Sequence, residues 1–266
     1  MYTVASEPVP VPSLLRGVRA AFVSFTRLPL GGYPYSAEEW RWAPAHLPLV
    51  GVAVGAGSAA VWLGASELGL PRNLAAALAL AVSVWATGAL HEDGLADSAD
   101  ALGGGHDRER VLAILKDSRI GTYGAIALGF SLLIRTGAIA TLNGRGWFAL
   151  VAVHCLARLG PVRLMLSERY VTDPAQAKSP SFLPIARGQL LVASGWVLLC
   201  LAGGVLYGTF SALCGAVMVL AAALLVLLAA RYYRRAVGGI TGDLLGALEQ
   251  AAEVLLWLVW ISCQQL

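Results

Sequence analysis

The sequence predicts an all-α, polytopic membrane bundle of about seven transmembrane helices behind an N-terminal interfacial amphipathic helix. Three observations predict it: an apolar surplus, a series of span-length apolar segments, and a one-sided distribution of basic residues. The chain of 266 residues is 58% hydrophobic and 13% charged. An ordinary soluble domain is about 25% charged and 45–50% apolar, so a single water-soluble core cannot hold this composition.

Taken in order, residues 12–28 come first. Leu14, Leu15, Val18, Phe22 and Phe25 recur at helical spacing with Arg16 and Arg19 on another face, the pattern of a helix lying in the interface, with a re-entrant or buried helix as the alternative. Apolar segments then fall at 46–66, 73–90, 122–142, 147–166, 189–207, 209–230 and 244–263. Each approaches the length that a spanning helix needs. With the N-terminus cytoplasmic, the inside segments 1–45, 91–121, 167–188 and 231–243 hold fourteen Lys and Arg residues, and the outside loops hold only Arg72 and Arg145. This is the positive-inside bias. The loop at 167–188, with Asp173-Pro174 and Ser179-Pro180, reads as a flexible connection. The whole chain, 1–266, reads as one membrane-embedded domain.

Several classes are disfavoured. The net charge of +3 comes without a basic tract, so nucleic acid is not an expected partner. Cys155, Cys200, Cys214 and Cys263 lack metal-ligand spacing and lie in apolar runs, as small buried thiols do. The N-terminus lacks a charged region leading into an apolar core, so no cleaved signal peptide is expected.

Chemistry concentrates in 91–124. His91-Glu92-Asp93-Gly94-Leu95-Ala96-Asp97-Ser98-Ala99-Asp100 continues the second span without a proline. If the helix persists, Asp93, Asp97 and Asp100 share about 60° of arc. Three like charges on one stripe call for a cation, and hard oxygens without cysteine favour Mg²⁺ or Mn²⁺. Gly94 admits close approach to the backbone. Gly103, Gly104 and Gly105 end the helix, as a phosphate cradle or as a plain turn. Lys116 and Arg119 flank Asp117, so two cations could offset a pyrophosphate beside a further carboxylate. A second segment, 238–253, places Asp243, Glu249 and Glu253 at or inside the last span. Ionisable groups in a span normally face the bundle interior, and the same holds for Arg135, His154, Arg158 and Arg163; of these, Arg158 and Arg163 read as partners of the acids or as snorkelling side chains. His46 and His106 read as structural or interfacial.

At these residues the chain resembles the cobalamin synthase (adenosylcobinamide-GDP ribazoletransferase) family. Four blocks carry the resemblance: Phe25-Thr26-Arg27-Leu28-Pro29-Leu30; His91 to Asp100 with Gly103–Gly105; Leu115 to Gly124; and Gly239 to Ala247 with Glu249. Glu92 departs from the pattern, standing where an apolar residue is expected. The resemblance implies a Mg²⁺-dependent integral membrane enzyme of the inner membrane. It would join adenosylcobinamide-GDP and α-ribazole, or its 5′-phosphate, giving adenosylcobalamin or its phosphate and GMP. It implies metal binding by Asp93, Asp97 and Asp100. Catalytic roles fall to Asp117, His91, Lys116 and Arg119, and substrate contacts to Arg27, Gly103, Gly104, Gly105, Asp243 and Glu249. The lipid bilayer is a further expected partner; a homo-oligomer or a complex with other corrinoid-pathway enzymes stays open. The alternatives are a membrane phosphotransferase of the CDP-alcohol type, an ion-coupled transporter using the intramembrane charges, and a scaffold for other enzymes.

Overall fold

The structure, a computed structural model, describes residues 17–31, 35–171 and 185–264. Over these residues every regular element is a helix; no strand forms, and an isolated parallel bridge joins Tyr170 to Ile240. Residues 12–16 of the predicted interfacial helix and residues 172–184 of the predicted flexible loop lie outside the described residues. The remainder of the first is α1 (Val18–Phe25), which buries Ala20, Ala21 and Phe25 against the body.

Six helical stretches are long and apolar enough to cross a membrane. The first, Ala37–Glu67, comprises α2 (Ala37–Trp42), a 3₁₀ turn (Ala43–His46) and α3 (Leu47–Glu67). α4 (Arg72–Thr87), α5 (Leu90–Gly104) and the short α6 (Arg108–Ile114) follow. Then come α7 (Thr122–Ala140), a 3₁₀ turn (Gly144–Trp147) leading into α8 (Phe148–Ala157) and α9 (Leu159–Ser167), and finally α10 (Arg187–Tyr207), α11 (Ala212–Ala236) and α12 (Gly242–Cys263). Counting α4 and α5 as one broken span gives seven crossings, the expected number.

Three details differ from the sequence reading. The second span does not run on into the acidic stretch: Gly88 and Ala89 both adopt left-handed conformations, and α4 and α5 meet at 88°. Gly88 supplies the usual C-cap, which absence of proline had hidden. The fourth span is interrupted at Arg158, between α8 and α9. α11 runs to Ala236, so Arg231, Arg234 and Arg235 extend its last turns instead of forming a loop.

Small residues let the helices approach closely, as membrane interfaces require. A Cβ on Gly55 of α3 would come within 2.6 Å of the Leu150 carbonyl of α8. The Ser58 hydroxyl donates to the Ala79 carbonyl of α4 at 2.6 Å. Contacts between termini define two ends of the bundle. At one, Arg108 Nε of α6 donates to the Val237 carbonyl at 2.8 Å, and Tyr170 bridges Ile240. At the other, Trp147 Nε1 donates to the Tyr207 hydroxyl at 3.2 Å and Arg145 lies 5.5 Å over the Tyr207 ring. Amphipathic rings of this kind suit a membrane boundary. The acidic segment belongs to the first end.

The quiet residues behave as expected. Cys155, Cys200 and Cys214 are buried free thiols and Cys263 is half-buried. His46 is buried and accepts from Trp196 Nε1 at 3.2 Å, and His106 is exposed.

Candidate active site

The site is built on α5, and α5 begins in an unusual backbone. Ala89, at φ 58°, is the one described non-glycine residue with positive φ; such a residue costs roughly 1–3 kcal/mol and persists only where its surroundings impose it. Arg27 helps impose it. Its backbone N–H donates to the Ala86 carbonyl at 2.8 Å, and its side chain lies so close over Gly88 that a Cβ there would sit 2.8 Å from Nε. Arg27, expected at the substrate, thus marks the break that opens the site.

From the break, α5 runs antiparallel to both α7 and α12. Glu92 meets Arg135 while Asp100 meets Gly121 and Gly124; His91 meets Glu249 while Gly94 meets Asp243 and Gly246. Glu92 therefore lies level with the middle of α7, and Asp100 level with its start. His91, Glu92, Gly94, Ala96, Ser98 and Ala101 are buried, whereas Asp93 is exposed and Asp97 and Asp100 are half-buried. The aligned carboxylates thus stand on the open side of the helix.

Gly94 is the contact that draws the two predicted segments together. A Cβ on it would lie 2.8 Å from the Asp243 carbonyl oxygen and 3.2 Å from Gly246 Cα. Gly94→Val is therefore expected to wedge α12 off α5 at a cost of about 1–3 kcal/mol. It should be read as a lowered melting temperature together with lost turnover; a wild-type melting curve would show that the helices do not meet here.

Asp100 has a job of its own. Its Oδ2 accepts from Gly121 N at 2.7 Å and its Oδ1 from Gly124 N at 2.9 Å. It caps the N-terminus of α7 from a distant helix, satisfying two orphan amides with a favourable charge. The glycines follow from this: a Cβ on Gly121 would lie 2.5 Å from the Asp100 carboxylate. Replacing Asp100 by Ala is expected to cost about 1–2 kcal/mol of stability, the scale of a strong cap, measurable by thermal unfolding in detergent.

The glycine run does not use left-handed conformations. Gly103 and Gly104 complete α5, and Gly105 caps it at φ −93°. Their small size serves packing: a Cβ on Gly103 would come within 2.7 Å of the Tyr123 ring, and one on Gly105 within 2.7 Å of the Ala101 carbonyl. The run is a close-packed helix end, where the sequence left open a phosphate cradle or a plain turn.

Lys116 and Arg119 are exposed. The Arg119 guanidinium grips Asp117 at 3.0 and 2.7 Å, and these hydrogen bonds hold the Asp117 carboxyl down at about 2. A carboxylate so depressed stays ionised above about pH 4, and its pairing is lost only as pH falls through the depressed value. In a carboxyl ¹³C titration Asp117 should show no step between about pH 4 and 7, and Arg119→Ala should return it to the ordinary aspartate range. An unchanged titration in that variant would refute the pairing.

Asp243 stands in the first turn of α12, behind the Thr241 cap. Beside it is a residue the sequence reading missed. The Tyr170 hydroxyl accepts from the Gly242 backbone, and burial with the Asp243 charge raises its pKa. Tyr170 lies at the start of a loop taken as a mere connector. The bridge to Ile240, with Val171 N donating to Ile240 O at 2.9 Å, pins it against the α12 N-terminus.

Glu249, expected at the substrate, is fully buried behind the Gly94–Gly246 contact and faces His91 and Arg158. Glu92, the departure from the family pattern, is also buried and pairs with Arg135 at 3.1 Å. Arg158 joins the buried acids as expected; Arg163 is exposed and does not. Among the described residues, the one trio of potential metal ligands within 4.8 Å of one another is His154, Glu249 and Glu253. The three aspartates of the stripe share a face without converging as a trio.

Fold and site together define a polytopic helical membrane protein with an acidic surface at one end of its bundle. Comparison with known proteins makes this specific. The family model described as cobalamin-5-phosphate synthase matches residues 17–261. The adenosylcobinamide-GDP ribazoletransferase of Leptothrix cholodnii is 38% identical over 262 residues, covering 94% of this chain and 97% of its own. That of Bradyrhizobium diazoefficiens is 40% identical over 261 residues, covering 96% of each. No solved structure matches. The chain belongs to the cobalamin-5-phosphate synthase family.

Proposed function

We propose that the chain is an adenosylcobinamide-GDP ribazoletransferase, completing the nucleotide loop of cobalamin from adenosylcobinamide-GDP and α-ribazole or its 5′-phosphate. The observation that carries this is full-length similarity to enzymes of that name, joined to an open carboxylate stripe where the family blocks meet. In the reaction a ribazole hydroxyl attacks the cobinamide-linked phosphorus. A phosphorus–oxygen bond forms, the pyrophosphate bond breaks, GMP leaves, and the hydroxyl proton passes to a base.

The donor set fits Mg²⁺. This ion usually takes one or two carboxylates and completes its shell with water and substrate phosphates. Asp93 and Asp97, on one open face, supply such a pair without a third converging ligand. Asp100 keeps lone pairs beyond its two backbone bonds and can add to the set. Bound there, the cation would polarise the pyrophosphate oxygens as a Lewis acid. Lys116 and Arg119, exposed beside the stripe, offset charge on the substrate. Arg119 reaches the pyrophosphate by releasing Asp117, which frees that carboxylate to take the hydroxyl proton. His91, beneath the stripe, is held by Glu249 and orients the first turn of α5. Tyr170 and Asp243 line the α12 side and offer hydrogen bonds to ribazole hydroxyls.

The charge bias supports a cytoplasmic N-terminus and a site facing the cytoplasm across the inner membrane. The test is direct. The protein in liposomes, given cobinamide-GDP, α-ribazole and Mg²⁺, should release GMP in step with cobalamin formed. No GMP release, with solute flux instead, would overturn the reading in favour of transport.

A further inference from the structure

The bundle contains a second constellation, wholly buried, of which the reading above uses only the His91–Glu249 contact. Arg135 of α7 is 1% exposed and bridges Glu92 of α5, at 3.1 Å, and Glu253 of α12, at 2.8 Å. Arg158, 2% exposed, reaches Glu249 at 2.9 Å and Glu253 at 3.4 Å, and donates to the His154 carbonyl at 2.8 Å. Glu249 in turn meets His91 of α5 at 3.4 Å, and His154 pairs with Glu253. The contacts close a ring: α5 to α7, to α12, to the α8–α9 junction, back to α12 and back to α5.

This ring is not a metal centre. The His154, Glu249 and Glu253 trio has a cation within it already. Arg158 Nη1 stands 3.4 Å from His154 Nδ1, 2.9 Å from Glu249 and 3.4 Å from Glu253. Nor is the ring optimised for stability. Glu92 Oε2, Arg135 Nε and Arg158 Nε are buried without a hydrogen-bond partner. Buried ion pairs are often no more stabilising than apolar residues of like volume.

Its position suggests another purpose. α5 enters through two consecutive left-handed residues and an 88° bend, so continuity with α4 does little to fix its rotation or depth. The ring grips two consecutive residues of its first turn, His91 and Glu92, from opposite sides. The next residue is Asp93. A slip of one residue would turn the stripe by about 100° and shift it by about 1.5 Å.

We infer that the ring, through the Arg135–Glu92 bridge, is a register clamp that sets the rotation and depth of α5 and so aims the carboxylate stripe. Arg135 and Glu92 are positioning residues. The inference rests on the stripe being the reaction surface, and gives this chain's Glu92 a role that an apolar residue could not fill.

The experiment compares wild type, Glu92→Leu, Glu92→Gln, Arg135→Met and the double variant Glu92→Leu/Arg135→Met in nanodiscs. Two readouts are taken: steady-state GMP release, and hydrogen exchange along α5 relative to α10 and α11. Glu92→Leu should lower kcat by about 10²-fold with KM for cobinamide-GDP unchanged, the scale of an ångström misplacement. Glu92→Gln, which still accepts from Arg135, should recover most of it. The double variant should be better than Arg135→Met alone, because it removes one of the two carboxylates that variant strands. Exchange in α5 should quicken about tenfold or more while α10 and α11 stay as they were. Wild-type kcat in Glu92→Leu, or equal quickening in every helix, would overturn the clamp. If wild type itself releases no GMP, the reaction assignment falls, and α5 exchange alone decides the clamp: unchanged protection in Glu92→Leu rejects it.

Discussion

Asp97→Asn and, separately, Asp93→Asn should each lower GMP release by about 10²–10³-fold, the cost of removing a charge aimed at a developing oxyanion. Asparagine keeps the shape and loses the charge, and neither side chain is part of the buried face of α5. The variants should therefore insert and melt like wild type. Both should also need more Mg²⁺ for half-maximal rate. Asp100→Asn supplies the contrast. Its carboxylate already answers two backbone amides of α7, so its replacement should lower the melting temperature as well as the rate. Wild-type turnover of Asp97→Asn at limiting Mg²⁺ would remove the stripe from the reaction and leave it a solvated helix end.

The stripe was legible because a period of 3.6 is a local property. So were the spans, which hydropathy and length define, and the gathering of Lys and Arg between them. What the sequence concealed is tertiary. Nothing near Asp100 announces that it caps a helix whose N-cap lies twenty-one residues later. The partner of Glu92 is forty-three residues away. The break after α4 had a local signal, the C-cap glycine at position 88, but the left-handed Ala89 has none; it follows a glycine covered by Arg27 and donates its N–H back to the Val84 carbonyl. The glycines at 103–105 show the converse error. A Gly-rich run suggests backbone freedom, yet here the missing side chains make room for Tyr123 and for α6. Tyr170 was overlooked because its loop is polar and proline-bearing, and its contact is with a segment seventy residues on.

The largest stability effect is expected at Arg158. Arg158→Met should destabilise the protein by about 3–5 kcal/mol, the cost of stranding a buried charge. The argument is geometric. Glu249 and Glu253 lie one turn apart on α12, are 0% and 1% exposed, and both face the Arg158 guanidinium. Without it Glu249 keeps His91 and the Gln250 side-chain amide, and Glu253 keeps His154 and Arg135. The α8 carbonyl of His154 also loses its donor at the break between α8 and α9. Lysine is a poor substitute, since Nη1 alone makes the contacts to the two carboxylates and the carbonyl, and a lysine nitrogen ends one bond short of that position. Arg158→Lys should thus recover only part of the loss. Pairing Arg158→Met with Glu249→Gln should recover more, because it removes the stranded charge itself. Melting of the four proteins in one detergent tests the order. Equal stability of Arg158→Met and wild type would mean that these acids are balanced elsewhere, and that the ring does not hold the α8–α9 junction to α12.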